Sequence, residues 1–495
     1  MDLHREDCNK SQLAKRSKMS HSLAEQIIRP RNLRRAMGKR LRKETPRSSH
    51  GDWQPAADRP DPLKILQAQD KGRIQELLPI KYGRMAASPF AFLRGSAAVM
   101  AADLVGTPAS GQLVVLCGDA HISNFGLFAS PERTLVFDIN DFDECYPGPW
   151  EWDLKRLAAS VIVAGRENGY DDETNRKLAA LTAEVYRRTM RQFAKQSTMD
   201  TWYFHIKAKD VQKLFEWKAS KRDQKETAKT INKAMGKTQA RTLGRMTHME
   251  DGRRRINHEP PLLVPLRFID FESRLAGIFT AEEIKQVGEQ DLRQSWQEYL
   301  DSLPEERRYL LERFRVIDIA LRVGGVGSVG TRCHIFLLEG GGKNEGLILQ
   351  LKEAGPSVLQ AHLQTQTYEE NARRVVLGQR LMQATSDPFL GWHRSPISGH
   401  NYYWRQLKDM KGSIDVANLD VTGYGTYIGI CAASLARAHA RTGDPAAIAG
   451  YLGKSDVFDR AIANFAANYA DQTEKDHAAL KQAIADGRIK AQEGI

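Results

Sequence analysis

A chain of 495 residues is long enough to bury more than one hydrophobic core, so we expect at least two lobes or domains. Its 41% apolar and 27% charged residues are typical of a soluble globular protein, and no apolar run is long enough to span a bilayer. The five cysteines form no C-x-x-C pair and lack zinc-ligand spacing, which predicts a reducing, cytoplasmic setting.

The net charge of +12 is concentrated in two basic segments. Residues 1–43 hold 13 Lys/Arg against 4 Asp/Glu, and residues 206–246 hold 12 against 4, which gives +9 and +8. Such segments attract nucleic acid or anionic membranes, although a charge run is more often a solvated helix face or a tail. A nucleic-acid partner therefore stays a less favoured alternative, and residues 1–60 are predicted to form a basic, mobile N-terminal segment.

From Asp61 the sequence predicts ordered structure, and residues 61–314 are interpreted as a larger, mostly helical lobe. Asp61-Pro62 is a helix-start signal, and residues 97–104 continue as a helix. An apolar run at 112–117 predicts a strand, and the basic residues 206–246 form a helical arm.

The stretch from Leu116 to Asp153 carries the strongest concentration of polar residues that follow predicted strands. It reads Leu-Cys-Gly-Asp-Ala-His-Ile-Ser-Asn after the first strand and Val-Phe-Asp-Ile-Asn-Asp-Phe-Asp after the second. Asp and Asn are common turn residues, but two such groups so close together suit Mg²⁺ held against a phosphate. The candidate residues are Asp119, Asn124, Asp138, Asp141 and Asp143.

A second informative stretch begins at Val323. It contains a G-x-G-x-x-G sequence at 325–330, a predicted hairpin and a lysine, Lys352, at the end of the second strand. Glycines there would let backbone amides approach phosphate oxygens. The candidate residues of this loop are Gly325, Gly327, Ser328 and Gly330.

A predicted helix over residues 367–384 follows the hairpin. Glu369 is the first choice for a carboxylate that orients Lys352, and Glu370 is the second. Residues 401–407 then read as a strand and 408–412 as a hinge between lobes. Residues 315–412 are therefore interpreted as a smaller, β-rich lobe.

The two stretches resemble segments of protein-kinase-like phosphotransferases. Residues 117–124 are similar to the His-Gly-Asp-x-x-x-x-Asn loop of the aminoglycoside and choline kinases, with Cys117 in place of the first His. Residues 141–143 resemble the Asp-Phe-Gly metal segment, with Asp143 where Gly is usual. From about Asp61 to its C-terminus the chain is similar to the bacterial family DUF2252, a domain of unknown function.

The kinase resemblance implies a role for each candidate residue and two ligands, ATP and Mg²⁺. Asp119 would accept the proton of a hydroxyl acceptor, and Asn124 and Asp141 would hold the metal ion. Asp138 or Asp143 would be a second ligand, the glycine loop would cover the phosphates, and Lys352 would bind them. Asp153, which opens the next helix, would support the first loop through hydrogen bonds to its backbone.

The order of these segments differs from that of an ordinary kinase-like chain. The helix over 423–440 ends Leu-Ala-Arg-Ala-His439, a pattern that normally comes directly before the catalytic loop. We therefore expect an α+β, protein-kinase-like two-lobed fold that is circularly permuted and has helical additions, with residues 413–495 returning to the larger lobe. Residues 439–444 are a competing catalytic loop, ranked lower because no acidic metal segment follows them.

These patterns predict an ATP- and magnesium-dependent phosphotransferase that acts on an unknown hydroxyl acceptor. A nucleotidyl transferase and a catalytically silent nucleotide-binding protein remain as alternatives, because Cys117 and Asp143 depart from the kinase pattern. A protein that chiefly binds nucleic acid is less favoured, since aromatic residues are sparse in the basic segments.

Overall fold

The computed structural model describes residues 29–268, 289–342, 345–363, 365–366, 368–396, 398–407 and 409–494. Helices account for 54% and strands for 15% of the structure, and the strand pairs within these ranges are all antiparallel. The expected α+β class is confirmed at this level. No helix in these ranges is both long and apolar enough to cross a membrane.

The helices are named α1 to α18 in chain order. Their bounds are Arg31–Arg40, Pro62–Asp70, Leu78–Ala86, Pro89–Gly95, Ala97–Leu104, Trp150–Glu167, Asp172–Phe193, Thr198–Tyr203, Ala208–Lys218, Lys221–Met235, Gln239–Met246, Glu289–Asp301, Glu305–Leu311, Gln360–Leu363, Asn371–Met382, Val421–Thr442, Pro445–Leu452 and Val457–Ala485.

The strands are named β1 to β13 in the same way. Their bounds are Leu113–Leu116, Phe125–Ala129, Leu135–Ile139, Tyr146–Pro149, Ile206–Lys207, Thr247–Glu250, Arg253–Ile256, Leu263–Pro265, Arg315–Arg322, Cys333–Glu339, Gly346–Glu353, Gly391–Arg394 and Asn401–Gln406. They form a six-stranded sheet of order β12-β13-β11-β10-β9-β8, a three-stranded sheet β2-β3-β5, and the pairs β1-β4 and β6-β7.

The six-stranded sheet dominates the second half of the chain. The predicted hairpin is confirmed as β10 and β11, which pair from Cys333↔Lys352 to Glu339↔Gly346. One part of the sheet packs on α12 and α13 through an apolar cluster around Tyr299 and Trp404. A different cluster, which includes Leu243 of α11 and Ile256 of β7, covers Ala320 and Ile335 on neighbouring strands.

Most remaining helices surround α6, whose sequence predicts an amphipathic helix. The structure buries α6 on every side from Trp150 to Gly165, between α7, α18 and the β1 region. Its charged side chains Lys155 and Arg156 are therefore buried too, which an amphipathic helix would avoid. Capping follows the sequence more simply, since the side chain of Asp61 accepts a hydrogen bond from the Leu63 amide at the start of α2.

The N-terminal part differs from the mobile segment predicted for residues 1–60, of which 1–28 lie outside the described residues. Helix α1 packs closely on α17, where a Cβ on Gly38 would lie 1.9 Å from the carbonyl oxygen of Ala447. Arg42 donates hydrogen bonds to the backbone oxygens of Gly450 and Tyr451. Residues 29–60 therefore contain a helix that is packed and hydrogen-bonded against the C-terminal helices.

The later predicted elements are present with shifted bounds. The helix predicted over 367–384 is α15, which spans Asn371–Met382, and residue 367 lies outside the described residues. The strand predicted over 401–407 is β13, and the first residue of the predicted hinge, 408, is also outside them. The C-terminal helix predicted over 423–440 is α16, longer by two residues at each end.

Candidate functional site

A polar cleft of about 610 Å³ lies between the six-stranded sheet and the loops that follow β1 and β3. It brings together residues more than two hundred positions apart in the sequence. The sequence-predicted residues that line it are Asp119, Asn124, Asp141, Asp143, Gly325, Gly327, Ser328 and Lys352.

The loop after β1 is held by a buried carboxylate from α6. Both oxygens of Asp153 accept backbone hydrogen bonds, from the Cys117 amide at 2.7 Å and the Gly118 amide at 2.9 Å. Gly118 has a φ of +79°, and a Cβ there would lie 2.2 Å from the carbonyl oxygen of Glu144, so this turn requires glycine. His439 Nε2 lies 3.2 Å from Asp153, which links the end of α16 to the same loop.

Asp119 follows this turn and points into the cleft. Arg156 Nε donates to Asp119 Oδ1 at 2.5 Å, while Asp119 Oδ2 lies 3.7 Å from Nε2 of His121. Burial lowers the pKa of His121 to about 4, more than the nearby Asp119 carboxylate raises it, so the imidazole is neutral near pH 7. Arg156 therefore fixes one oxygen of Asp119 and leaves the other beside a neutral ring.

Asn124 and Asp141 are the two candidates best placed to bind a cation. The side-chain amide of Asn124 donates to the backbone oxygen of Asp119 at 2.6 Å, which leaves its carbonyl oxygen for the cleft. Burial would raise the pKa of Asp141, but the positive charges of Lys352 and Arg405 outweigh it and lower the pKa, so Asp141 is anionic. Within the described ranges no group of three or more His, Cys, Asp or Glu side chains could enclose a metal ion.

Asp138, a predicted alternative metal ligand, does not line the cleft. Its carboxylate accepts hydrogen bonds from Arg437 Nη2 at 2.6 and 2.7 Å and from the Ala384 amide at 2.9 Å. Both side chains of the Asp138–Arg437 pair are only 1% exposed. The prediction of Asp138 as a ligand is corrected, because its carboxylate is taken up by Arg437 of α16 and by the Ala384 amide and does not line the cleft.

Asp143 is the carboxylate that pairs with Lys352, in place of the predicted Glu369. Lys352 Nζ donates to Asp143 Oδ2, and the hydroxyl of Tyr403 donates to Asp143 Oδ1 at 2.8 Å. Burial would lower the pKa of Lys352, but the Asp143 carboxylate outweighs it and raises the pKa well above the usual value. Glu369 is exposed and precedes α15, and the second choice, Glu370, lies 3.8 Å from Arg373.

The glycine loop forms the opposite wall and is attached to the N-terminal helices. Nothing lies within 4 Å of a Cβ placed on Gly325, so its backbone is open to a ligand. Arg84 donates to the backbone oxygen of Gly324, and the Ile74 amide donates to that of Gly330 at 2.7 Å. Gly330, with a φ of +85°, closes the loop away from the cleft.

Several charged residues of the cleft were missed by the sequence analysis. The sheet contributes Arg322 and Arg405, and the segment after β13 contributes Lys411. Burial and the charge of Arg405 lower the pKa of Lys411 to about 7. A signal existed in β11, where Gln350 and Lys352 interrupt an apolar strand at alternate positions and so share one face.

Together these residues form a polar cleft with a recognisable chemical character. One cleft of this α+β chain is lined by acidic loops, a lysine–carboxylate pair and open glycine backbone, a combination suited to an anionic ligand and a hard cation.

The family model described as an uncharacterised protein conserved in bacteria, DUF2252, matches residues 73–483, and the chain belongs to that family. No curated protein and no solved structure matches the chain.

Proposed function

We propose that this protein is an ATP- and magnesium-dependent phosphotransferase with a kinase-like, two-lobed organisation. The observation that carries the proposal is the meeting of Asp119, Asn124 and Asp141 with Lys352 and the glycine loop in one cleft. Phosphoryl transfer mostly requires that the reactants be positioned and their charge neutralised, which is what these groups can do.

The topology of the sheet supports the same proposal. From β9 to β13 the chain runs as a three-stranded meander, then the short helix α14 and helix α15, then two further strands, of which the last pairs with β11. A kinase-like small lobe has this order, with the glycine loop between its first two strands and the lysine on the third. The contact of His439 with Asp153 supports a circular permutation, because it sets the end of α16 beside the loop that comes first in the chain.

In this proposal each residue acts through a group that the cleft exposes. Asp119 orients the acceptor hydroxyl and takes its proton, while Arg156 holds the carboxylate in place. The amide oxygen of Asn124 and the carboxylate of Asp141 would hold Mg²⁺, which takes few protein ligands and would neutralise phosphate charge when bound. Lys352, held by Asp143, and the backbone amides of Gly325 and Gly327 would contact phosphate oxygens.

Replacement of the two carboxylates tests the proposal. Asp119→Asn should keep nucleotide affinity and lower turnover by roughly 10²–10⁴-fold, because only proton transfer is lost. Asp141→Asn should weaken magnesium-dependent binding as well, because it removes a metal carboxylate. The measurements are ATP consumption with an acceptor found by screening, and ATP affinity with and without Mg²⁺.

Asp172→Asn, at an exposed position on α7, is the matched control and should change neither quantity. Full turnover in Asp119→Asn would contradict the assigned role of Asp119, and magnesium-independent ATP binding in the wild type would contradict the role of Asp141.

ATP labelled at the α- or the γ-phosphate separates phosphoryl transfer from the second candidate, nucleotidyl transfer. That candidate is kept because Asp143 replaces a glycine and binds Lys352.

A further inference from the structure

The face of the sheet that lines the cleft carries an unusual density of positive charge. Gln350 pairs with Arg405 across β11 and β13, and Lys352 pairs with Tyr403 two residues further along. Residues two apart on a strand share a face, and Gln350, Lys352 and Arg405 line the cleft. Arg322, at the end of β9, also lines it.

Three cations that line the cleft form what we call the sheet-side cluster, namely Arg322, Arg405 and Lys411. Arg405 Nε donates to Gln350 Oε1 at 2.9 Å, a neutral partner. Within the described part of the chain, the side chains of Arg322 and Lys411 have no hydrogen-bond or salt-bridge partner. With Lys352 the cluster sets four cations against the nearby carboxylates of Asp141, Asp143 and Asp387.

Arg322, Arg405 and Lys411 are partly buried, and cations that lose hydration without an ion-pair partner are costly unless a ligand supplies the opposite charge. The cations of this cluster repel one another, because the charge of Arg405 lowers the pKa of both Arg322 and Lys411 after burial has lowered it first. An anion placed among them would relieve this repulsion and replace lost hydration by charge-assisted hydrogen bonds.

The same face offers little room for an apolar ring at this end of the cleft. Ala320 and Ile335 lie in the row of Gln350 and Arg405, and both are fully buried. Leu243 of the basic arm packs with them in one apolar cluster. The arm therefore covers the apolar part of this face, and the part left open beside it is the charged one.

We propose that the sheet-side cluster of Arg322, Arg405 and Lys411 is a subsite for a phosphate group. Arginine forks and a lysine ammonium together match the tetrahedral oxygens of phosphate. This proposal adds a ligand subsite to the cleft of the proposed function. The identity of the molecule that carries the phosphate rests on that proposed function. That source is either the phosphate chain of the nucleotide or a phosphate carried by the acceptor.

The test uses inorganic phosphate as the probe, with full-length Arg322→Gln and Lys411→Met. Phosphate should raise the melting temperature of the wild type, and the concentration for half the shift should increase at least about tenfold in each variant. Arg307→Gln, a partly exposed position on the same cleft, is the matched control and should respond like the wild type. Shifts are compared within each variant, so a change in intrinsic stability does not mimic a loss of binding.

Absence of a phosphate response in the wild type, an unchanged response in both variants, or an equal loss in Arg307→Gln would overturn the subsite. Weaker Mg–ATP affinity in the two variants would assign the phosphate to the nucleotide. Unchanged ATP affinity, with phosphate and ATP bound together, would assign it to the acceptor. A confirmed subsite in a protein that never consumes ATP would refute the proposed function and leave the subsite standing.

Discussion

At the scale of single residues, the four acidic candidates between 119 and 143 have different environments. Asp119 and Asp141 face the cleft, Asp143 binds a lysine, and Asp138 is fully buried against Arg437. The sequence spacing could not separate them, because the partner that buries Asp138 is Arg437, which lies 299 residues further along the chain. The sequence motifs identify the four aspartates as candidates, and only the packing of α16 shows that Asp138 has a structural role.

Removing one partner of the Asp138–Arg437 pair should destabilise the fold strongly. Arg437→Met leaves the Asp138 carboxylate buried without a charged partner and should reduce the free energy of unfolding by about 3–5 kcal/mol. The double variant Asp138→Leu/Arg437→Met should recover much of that loss, since two buried charges disappear together. Urea-induced unfolding measures both effects.

Magnesium-dependent ATP affinity in Asp138→Asn distinguishes a structural role from a ligand role. Affinity equal to that of the wild type is expected, because the carboxylate does not line the cleft. A loss as large as that in Asp141→Asn would restore Asp138 as a metal ligand.

At the scale of elements, local patterns predicted helices and strands well and their contacts poorly. The hairpin β10–β11, helix α16 and the capped start of α2 follow from apolar spacing and turn residues. The pairing of Gln350 with Arg405 joins β11 to β13, which are separated along the chain by α14, α15 and β12, so it depends on register that the sequence does not encode locally. The cations of the cleft escaped prediction for that reason.

The contact between α1 and α17 gives an element-scale prediction. Two close approaches hold it, Gly38 against Ala447 and Gly450 against the backbone of Arg35. Gly38→Ala should separate the helices, because its Cβ would overlap a backbone oxygen that cannot move aside. Limited digestion with trypsin should then cut the arginine-rich α1 at least several-fold faster than in the wild type.

Gly72→Ala is the control for this experiment, since nothing lies within 4 Å of a Cβ at that position. Equal cleavage rates in Gly38→Ala and the wild type would show that α1 is already detached in solution.

At the scale of the whole molecule, burial sets how stability depends on pH. Burial lowers the pKa of several histidines, namely His50 to about 3 and His121, His334 and His393 to about 4. These rings stay neutral in the folded protein while the unfolded chain takes up protons below about pH 6.5. Burial raises the pKa of Glu144 to about 7 and of Asp387 to about 6. These two carboxyl groups therefore take up protons in the folded protein first, which offsets part of the effect of the histidines on stability.

Four histidines against two carboxylates leave a net uptake of roughly two protons by the unfolded chain between about pH 6 and 5. The free energy of unfolding should therefore fall by about 2–3 kcal/mol per pH unit as the pH decreases through this window. His50→Gln should reduce that slope by about 1.4 kcal/mol per pH unit, and urea unfolding at pH 7, 6 and 5 measures it.

The exposed His248→Gln is the control and should leave the slope unchanged. A slope in His50→Gln that equals the wild-type slope would mean that His50 takes up its proton in the folded state.

The attachment of the glycine loop affects how fast a ligand could be exchanged. Val326 packs with Tyr82 and Phe92, and Val329 packs with Ile74 and Ile80, so the loop belongs to the apolar contacts of the N-terminal helices. Lifting the loop would expose these side chains to water, at a cost set by the apolar area uncovered. The residence time of a ligand in the cleft would then be governed by the rate at which these helices separate from the sheet. A fast, independent motion of the glycine loop would not limit ligand release.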